Sequence, residues 1–121
     1  MATPNLLSGL TTVTPKILAS AQMASGETAA YTVPANKAAK VATCTITNVS
    51  ASVVVISVSV VASGGTADGT HRVISAYSLV AGDSLLVADF DGMWLGAGDF
   101  ISVNAAAATA IDVIVTGLEF A

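Results

Sequence analysis

Few side chains in this sequence could do chemistry, and their spacing argues against most of it. There is one His, one Cys and one Trp in 121 residues. A histidine works as a general base when a Ser or Cys nucleophile lies within hydrogen-bond reach and a third group orients the ring. No motif places a nucleophile for His71, so it is expected to be structural or exposed. Its neighbour Arg72 is expected to pair with Asp68 and order the loop between them, or to meet an acidic group on a partner. Cys44 sits in the alternating run Thr43-Cys44-Thr45-Ile46-Thr47. A reactive thiol needs nearby cations or a helix N-terminus, and neither is indicated, so Cys44 reads as a small buried hydrophobe.

Asp89-Phe90-Asp91-Gly92 is the best metal candidate, because paired carboxylates beside a glycine can hold Ca²⁺. Ca²⁺ takes six or more oxygens, and the segment lacks the third oxygen residue and the distal Glu of an EF-hand loop. It reads as a solvated turn. Gly64-Gly65 through Gly69 resembles a phosphate loop only in its glycines, with no Lys-Thr and no helix pattern after it. Asn48-Val49-Ser50 matches a glycosylation sequon, which matters only in a secreted protein. Trp94, between Met93 and Leu95, is expected to plug the core, with an interface anchor as the other reading. Glycan sites need aromatic platforms, and Tyr31, Tyr77 and Trp94 lie far apart in sequence. No catalytic residue, cofactor site or metal site is expected, and the protein is not expected to be an enzyme.

Only 10% of the residues are charged, 54% are hydrophobic and the net charge is −4. The four basic residues, Lys16, Lys37, Lys40 and Arg72, are scattered. Nucleic acid and anionic membranes both call for clustered Lys and Arg, so neither is an expected partner. The most apolar run, Val53 to Ala62, is too short to span a bilayer. The first residues lack the basic start and apolar core of a signal peptide. So little charge is unusual for the surface of a free small domain. It fits a subunit whose surface is covered by partners, hence an expected homo-oligomer.

The elements that would carry these residues are strands. Residues 1–14 read as an N-terminal arm, in which Leu6, Leu7 and Leu10 follow no sustained period and are the expected assembly contacts. Residues 15–121 read as one β-sandwich domain of jelly-roll type. Its first strand, at about 16–23, is expected to place Ile17, Ala19, Ala21 and Met23 on one face. Strands at about 28–33 and 40–48 follow, the latter with Ala42, Cys44 and Ile46 facing inward. In the strongest strand, 53–62, Val54, Ile56, Val58 and Val60 share the core face, and Ser57 and Ser59 lie on the other. Further strands are expected at 73–79, 84–88, 100–105 and 111–120, with a short segment at 93–95. Val80-Ala81-Gly82-Asp83 and Gly96-Ala97-Gly98-Asp99 echo each other and read as equivalent tight turns into neighbouring strands.

A set of runs resembles a known family. They are Ala30-Tyr31-Thr32-Val33-Pro34-Ala35-Asn36-Lys37, Thr45-Ile46-Thr47-Asn48, Leu79-Val80-Ala81-Gly82-Asp83-Ser84-Leu85, Leu95-Gly96-Ala97-Gly98-Asp99-Phe100-Ile101-Ser102-Val103 and the closing Gly117-Leu118-Glu119-Phe120. Together they resemble small virion structural proteins of tailed bacteriophages, over about Met23 to the C-terminus. The resemblance implies a decoration, head-fibre or minor tail protein without catalytic residues. The expected function is therefore a capsid decoration protein that binds and stabilises the outside of the head shell. Its partner would be the major capsid protein, its state a trimer and its location the particle exterior after synthesis in the host cytoplasm. The alternative is a tail or baseplate component, with tail proteins as partners and a receptor- or glycan-binding role.

Overall fold

Short runs of Val, Ile and Thr at alternate positions build nine strands in the computed structural model, which describes residues 12–121. They are β1 (Val13–Gln22), β2 (Gly26–Thr32), β3 (Ala38–Asn48), β4 (Val54–Val61), β5 (Arg72–Leu79), β6 (Ser84–Leu86), β7 (Trp94–Leu95), β8 (Phe100–Ala105) and β9 (Ile111–Phe120). All pairings are antiparallel. One sheet runs β1-β9-β3-β6, with β7 on the same edge of β3 as β6; the other runs β2-β8-β4-β5. The chain changes sheets at every connection except β4 to β5 and β6 to β7. The described residues thus form a two-sheet β-sandwich.

Side chains from both inner faces make the core, each fully buried Val or Ile contributing about 1.5–3 kcal/mol. Val41, Cys44 and Ile46 of β3 and Val113 and Val115 of β9 face Val54, Ile56 and Val58 of β4 and Ile101 and Val103 of β8. Phe90, on a single 3-10 turn at Ala88–Phe90, is fully buried and packs in the same core. Val60 joins the core only partly, as an inward residue near the end of β4.

Two face assignments differ from expectation, and bulges explain both. An extra residue in one strand shifts every later side chain by one, so it reverses the faces on one side. In β1 the register against β9 slips at Leu18. Leu18 is buried, whereas Ile17, expected to share a face with Ala19, Ala21 and the buried Met23, is 60% exposed. In β3 the slip falls at Ala42, which lies exposed while Ala39 and Val41 are buried. The two bulges lie on either side of Thr116 of β9, the β3 bulge between Thr116 and Gly117, and Gly117 is the inward partner of Val41 and Lys16. A Cβ on Gly117 would overlap the Lys40 carbonyl oxygen, so only glycine lets β3 approach this closely. Strand β1 also begins at Val13 and pairs Val13 and Thr14 with Phe120 and Glu119, two residues inside the range read as arm.

The two echoing turns are one device used twice. Asp83 N–H donates to Val80 O at 3.0 Å, and Asp99 N–H to Gly96 O at 3.1 Å. Gly82 and Gly98 take positive φ (76° and 82°), which glycine adopts without steric cost. Gly82 N–H donates to Asn48 O while Asn48 N–H donates to Asp83 O; Gly98 N–H donates to Val33 O while Val33 N–H donates to Asp99 O. Each turn therefore clamps the end of a strand (β3, β2) and launches the strand that pairs with it (β6, β8).

Candidate functional site

Register assigns the outer face of the first sheet residue by residue. On β9 the outward positions are Asp112, Ile114, Thr116, Leu118 and Phe120, since Ile111, Val113 and Val115 are buried inward. Thr116 pairs with Ile17 on one side and Thr43 on the other, and the Thr43 and Thr116 hydroxyls are 2.6 Å apart. One step toward the C-terminal end of β9, Leu118 pairs with Pro15 and Lys40, and Lys40 with Trp94. One step the other way, Ile114 pairs with Ser20 and Thr45, and Thr45 with Leu86. The result is a middle row of Ile17, Thr116 and Thr43, with apolar side chains (Leu118 and Trp94 on one side, Ile114 and Leu86 on the other) in the rows that flank it. Lys40 and Asp112 are the charged residues that register places on this face.

Trp94 belongs to this face and not to the core. It is 55% exposed, stacks on Phe120 with ring centroids 5.2 Å apart, and has the Lys40 ammonium 5.2 Å from its ring centroid. The physical reason is the two-residue strand β7, which sends Leu95 inward and so leaves Trp94 outward. A Trp exposed beside a cation is the kind of residue that anchors interfaces.

Glu119 closes one end between the sheets. It points inward from β9, is almost wholly buried, and accepts from the Tyr31 hydroxyl at 3.1 Å and from Lys37 Nζ at 3.0 Å, with Lys16 Nζ at 3.5 Å. The Lys37 hydrogen bond, aided by Tyr31 and the Lys16 charge, holds this carboxyl below its ordinary range. Burial, then the bond to Glu119, pushes the Tyr31 phenol up to about 12. Three elements and the loop before β3 are tied at one carboxylate.

A second polar cluster lies on the outer face of the other sheet. Arg72 forms an ion pair with Glu27 and donates to Ser59 Oγ at 2.7 Å. Ser102 Oγ donates to Glu27 Oε2 at 2.7 Å. The pairing of Arg72 with Asp68 expected from the sequence is not formed, because β5 carries Arg72 across the sheet face toward β2. Asp68 instead accepts from Thr70 and contacts His71 Nδ1 at 3.2 Å, and chiefly the Thr70 hydrogen bonds lower its carboxyl. The Thr70 hydroxyl also lies 3.1 Å from His71 Nδ1, the same ring nitrogen that faces Asp68.

The remaining candidates resolve into packing. Cys44 is buried, and burial pushes its thiol up to about 12, far from a reactive thiolate. Asp89 and Asp91 flank the buried Phe90, and among the described residues no group of three or more His, Cys, Asp or Glu could hold a metal ion. The Asn48 amide is fully buried: it donates to Ser52 O (2.8 Å) and Leu79 O (2.9 Å) and accepts from Ser50 N–H and Oγ. It cannot accept a glycan while folded. Leu6, Leu7 and Leu10 lie outside the described residues. Sequence reasoning missed the outward set Ile17, Leu86, Ile114 and Leu118; the alternation of β9 was the signal for two of them, a bulge concealed Ile17, and the three-residue strand β6 is too short to show the face of Leu86.

Among the described residues no helix is long and apolar enough to cross a membrane. Comparison of the chain with protein-family models, curated proteins and solved structures gives no match.

Proposed function

We propose that this protein is a bacteriophage virion structural protein, a decoration protein that seats on the outside of the head shell and acts by binding, not by catalysis. The observation that carries this reading is a contact surface fit for a subunit of an assembly: on the outer face of the first sheet, exposed apolar side chains and threonines occupy five strands with two charged residues among them. Contiguous apolar surface on a small soluble domain marks a contact site. The acidic net charge of −4 suits the outside of a shell, away from packaged DNA.

The strand orders β1-β9-β3-β6 and β2-β8-β4-β5, with sheet changes at nearly every connection, support a jelly-roll wind. That architecture recurs in viral capsid and lectin domains, an analogy of fold only. The segments carrying the phage-protein resemblance are also those that build the clamped turns and the buried Glu119.

The test is binding of purified protein to isolated phage heads and tails of a phage that encodes it. Saturable, stoichiometric binding to heads supports the decoration role. Binding to tails alone moves the protein to the tail or baseplate, and binding to neither overturns the virion reading.

A further inference from the structure

We infer that the outer face of the first sheet is covered by the same face of a second copy of this chain, related by a two-fold axis across the strands through the Thr43–Thr116 row. The inference deepens the assembly role proposed above by naming the partner, and it can fail while head binding stands.

The pattern on the face is its own complement. In face-to-face packing, a two-fold axis in the interface and perpendicular to the strands keeps each strand over itself and exchanges its two ends. Thr43, Thr116 and Ile17 form the middle row, so each meets its own copy. Leu118, one step up β9, meets Ile114, one step down the same strand. Trp94 and Leu86 lie on one edge of β3, one step up and one step down, opposite Lys40 and Thr45. The axis therefore puts Trp94 of each copy over Leu86 of the other, and these two residues are 55% and 56% exposed. Ile17, Trp94, Leu86, Leu118 and Ile114 thus gain apolar partners, while at the ends of the strands Val13 meets Gln22 and Phe120 meets Asp112.

Charge follows the same symmetry. Lys40 lies on the Trp94 side of the axis and Asp112 on the other. Exchanging the ends brings the Lys40 half of one copy onto the Asp112 half of the other, so opposite charges approach and like charges stay apart. An axis parallel to the strands would instead pair each half with itself. Size is also adequate: four strands at about 4.8 Å spacing and ten residues at about 3.4 Å give roughly 650 Å². A standard interface takes about 800 Å² from each partner, and sheets packed at about 30° bury such faces well.

The test uses the full chain. Sedimentation of wild-type protein should give a species of twice 11.9 kDa. Ile17→Lys, on the axis and exposed, should give a folded monomer, with its circular dichroism and melting curve as the check on folding. Trp94→Cys and Leu86→Cys, each treated alone with a short bifunctional maleimide, should form little cross-linked dimer, whereas their mixture should cross-link at least tenfold more, because facing sheets about 10 Å apart hold the two thiols within reach of such a linker but not of a disulfide. A wild-type monomer, a trimer, a dimer unchanged by Ile17→Lys, or equal cross-linking of the single variants and the mixture would each overturn the inference. A monomer that dimerises only after deletion of Met1–Leu10 would overturn it in favour of the chain's own leucines on this face.

Discussion

The Tyr31 hydroxyl on β2 donates to Glu119 Oε2 on β9 at 3.1 Å, joining the two sheets where the sandwich opens. The carboxylate is shared with Lys37 and Lys16, so an ionised Glu119 is bound more tightly in the folded chain than a neutral one.

This relationship sets the pH range of stability. Glu119 titrates below its ordinary 4.5 when folded, so its contribution is present above that value and is lost as pH falls through the lowered one. Tyr31 shifts the other way. Its contribution is present below pH 10 and is lost as pH rises toward about 12. Melting curves of wild type and Glu119→Gln should differ most between pH 5 and 9, by about the value of a charged hydrogen bond, and converge as pH falls through the lowered pKa of Glu119. A difference that does not change with pH would exclude the ionised carboxylate as the tie.

Gly117→Ala should be among the most damaging single-methyl additions in the chain. The added carbon would meet backbone, the Lys40 carbonyl, which cannot swing aside as a side-chain tip can. We expect a loss of about 3 kcal/mol in urea unfolding, at the upper end of overpacking costs. Gly82→Ala, at an open turn with positive φ, should cost about 1 kcal/mol.

Asn48→Ala should leave the Ser52 and Leu79 carbonyls without their amide donor in a closed site, at about 1–3 kcal/mol for each buried group left unpaired. Urea unfolding measures the sum. Asn48→Asp, which keeps an acceptor for Ser50 but removes the donor, should be no better than Ala.

Phe90, and not the aspartates beside it, is expected to account for the Asp89–Gly92 segment. Phe90→Ala should cost about 3–5 kcal/mol through the cavity it leaves. Added Ca²⁺ or chelator should not move the melting temperature, because among the described residues no third His, Cys, Asp or Glu joins Asp89 and Asp91. A drop of several degrees on chelation would make the turn a metal site.

Much of the architecture was legible in local pattern. The alternation of β3 and β4 and the recurrence of Ala-Gly-Asp follow from nearest-neighbour chemistry: β-branched residues suit a pleat, and glycine alone takes positive φ at no cost. Cys44, Ile46, Val54, Ile56 and Val58 were placed inward from the sequence, and they are. What only the tertiary structure decided were the features that depend on a neighbouring strand. A bulge is a count of residues on one strand against another, so nothing within β1 marks Leu18 as the extra residue, and nothing within β3 marks Ala42. Those two slips turned Ile17 outward and Val41 inward. Trp94 was misplaced because two residues of strand are too few to show an alternation, and its face was set by pairing with Lys40. Arg72 found Glu27 and not Asp68, because 45 residues of chain brought β2 and β5 into one sheet. Composition foretold a surface poor in charge; which face carries the apolar rows, and their symmetry about Thr43 and Thr116, came from register, which is a property of strands together.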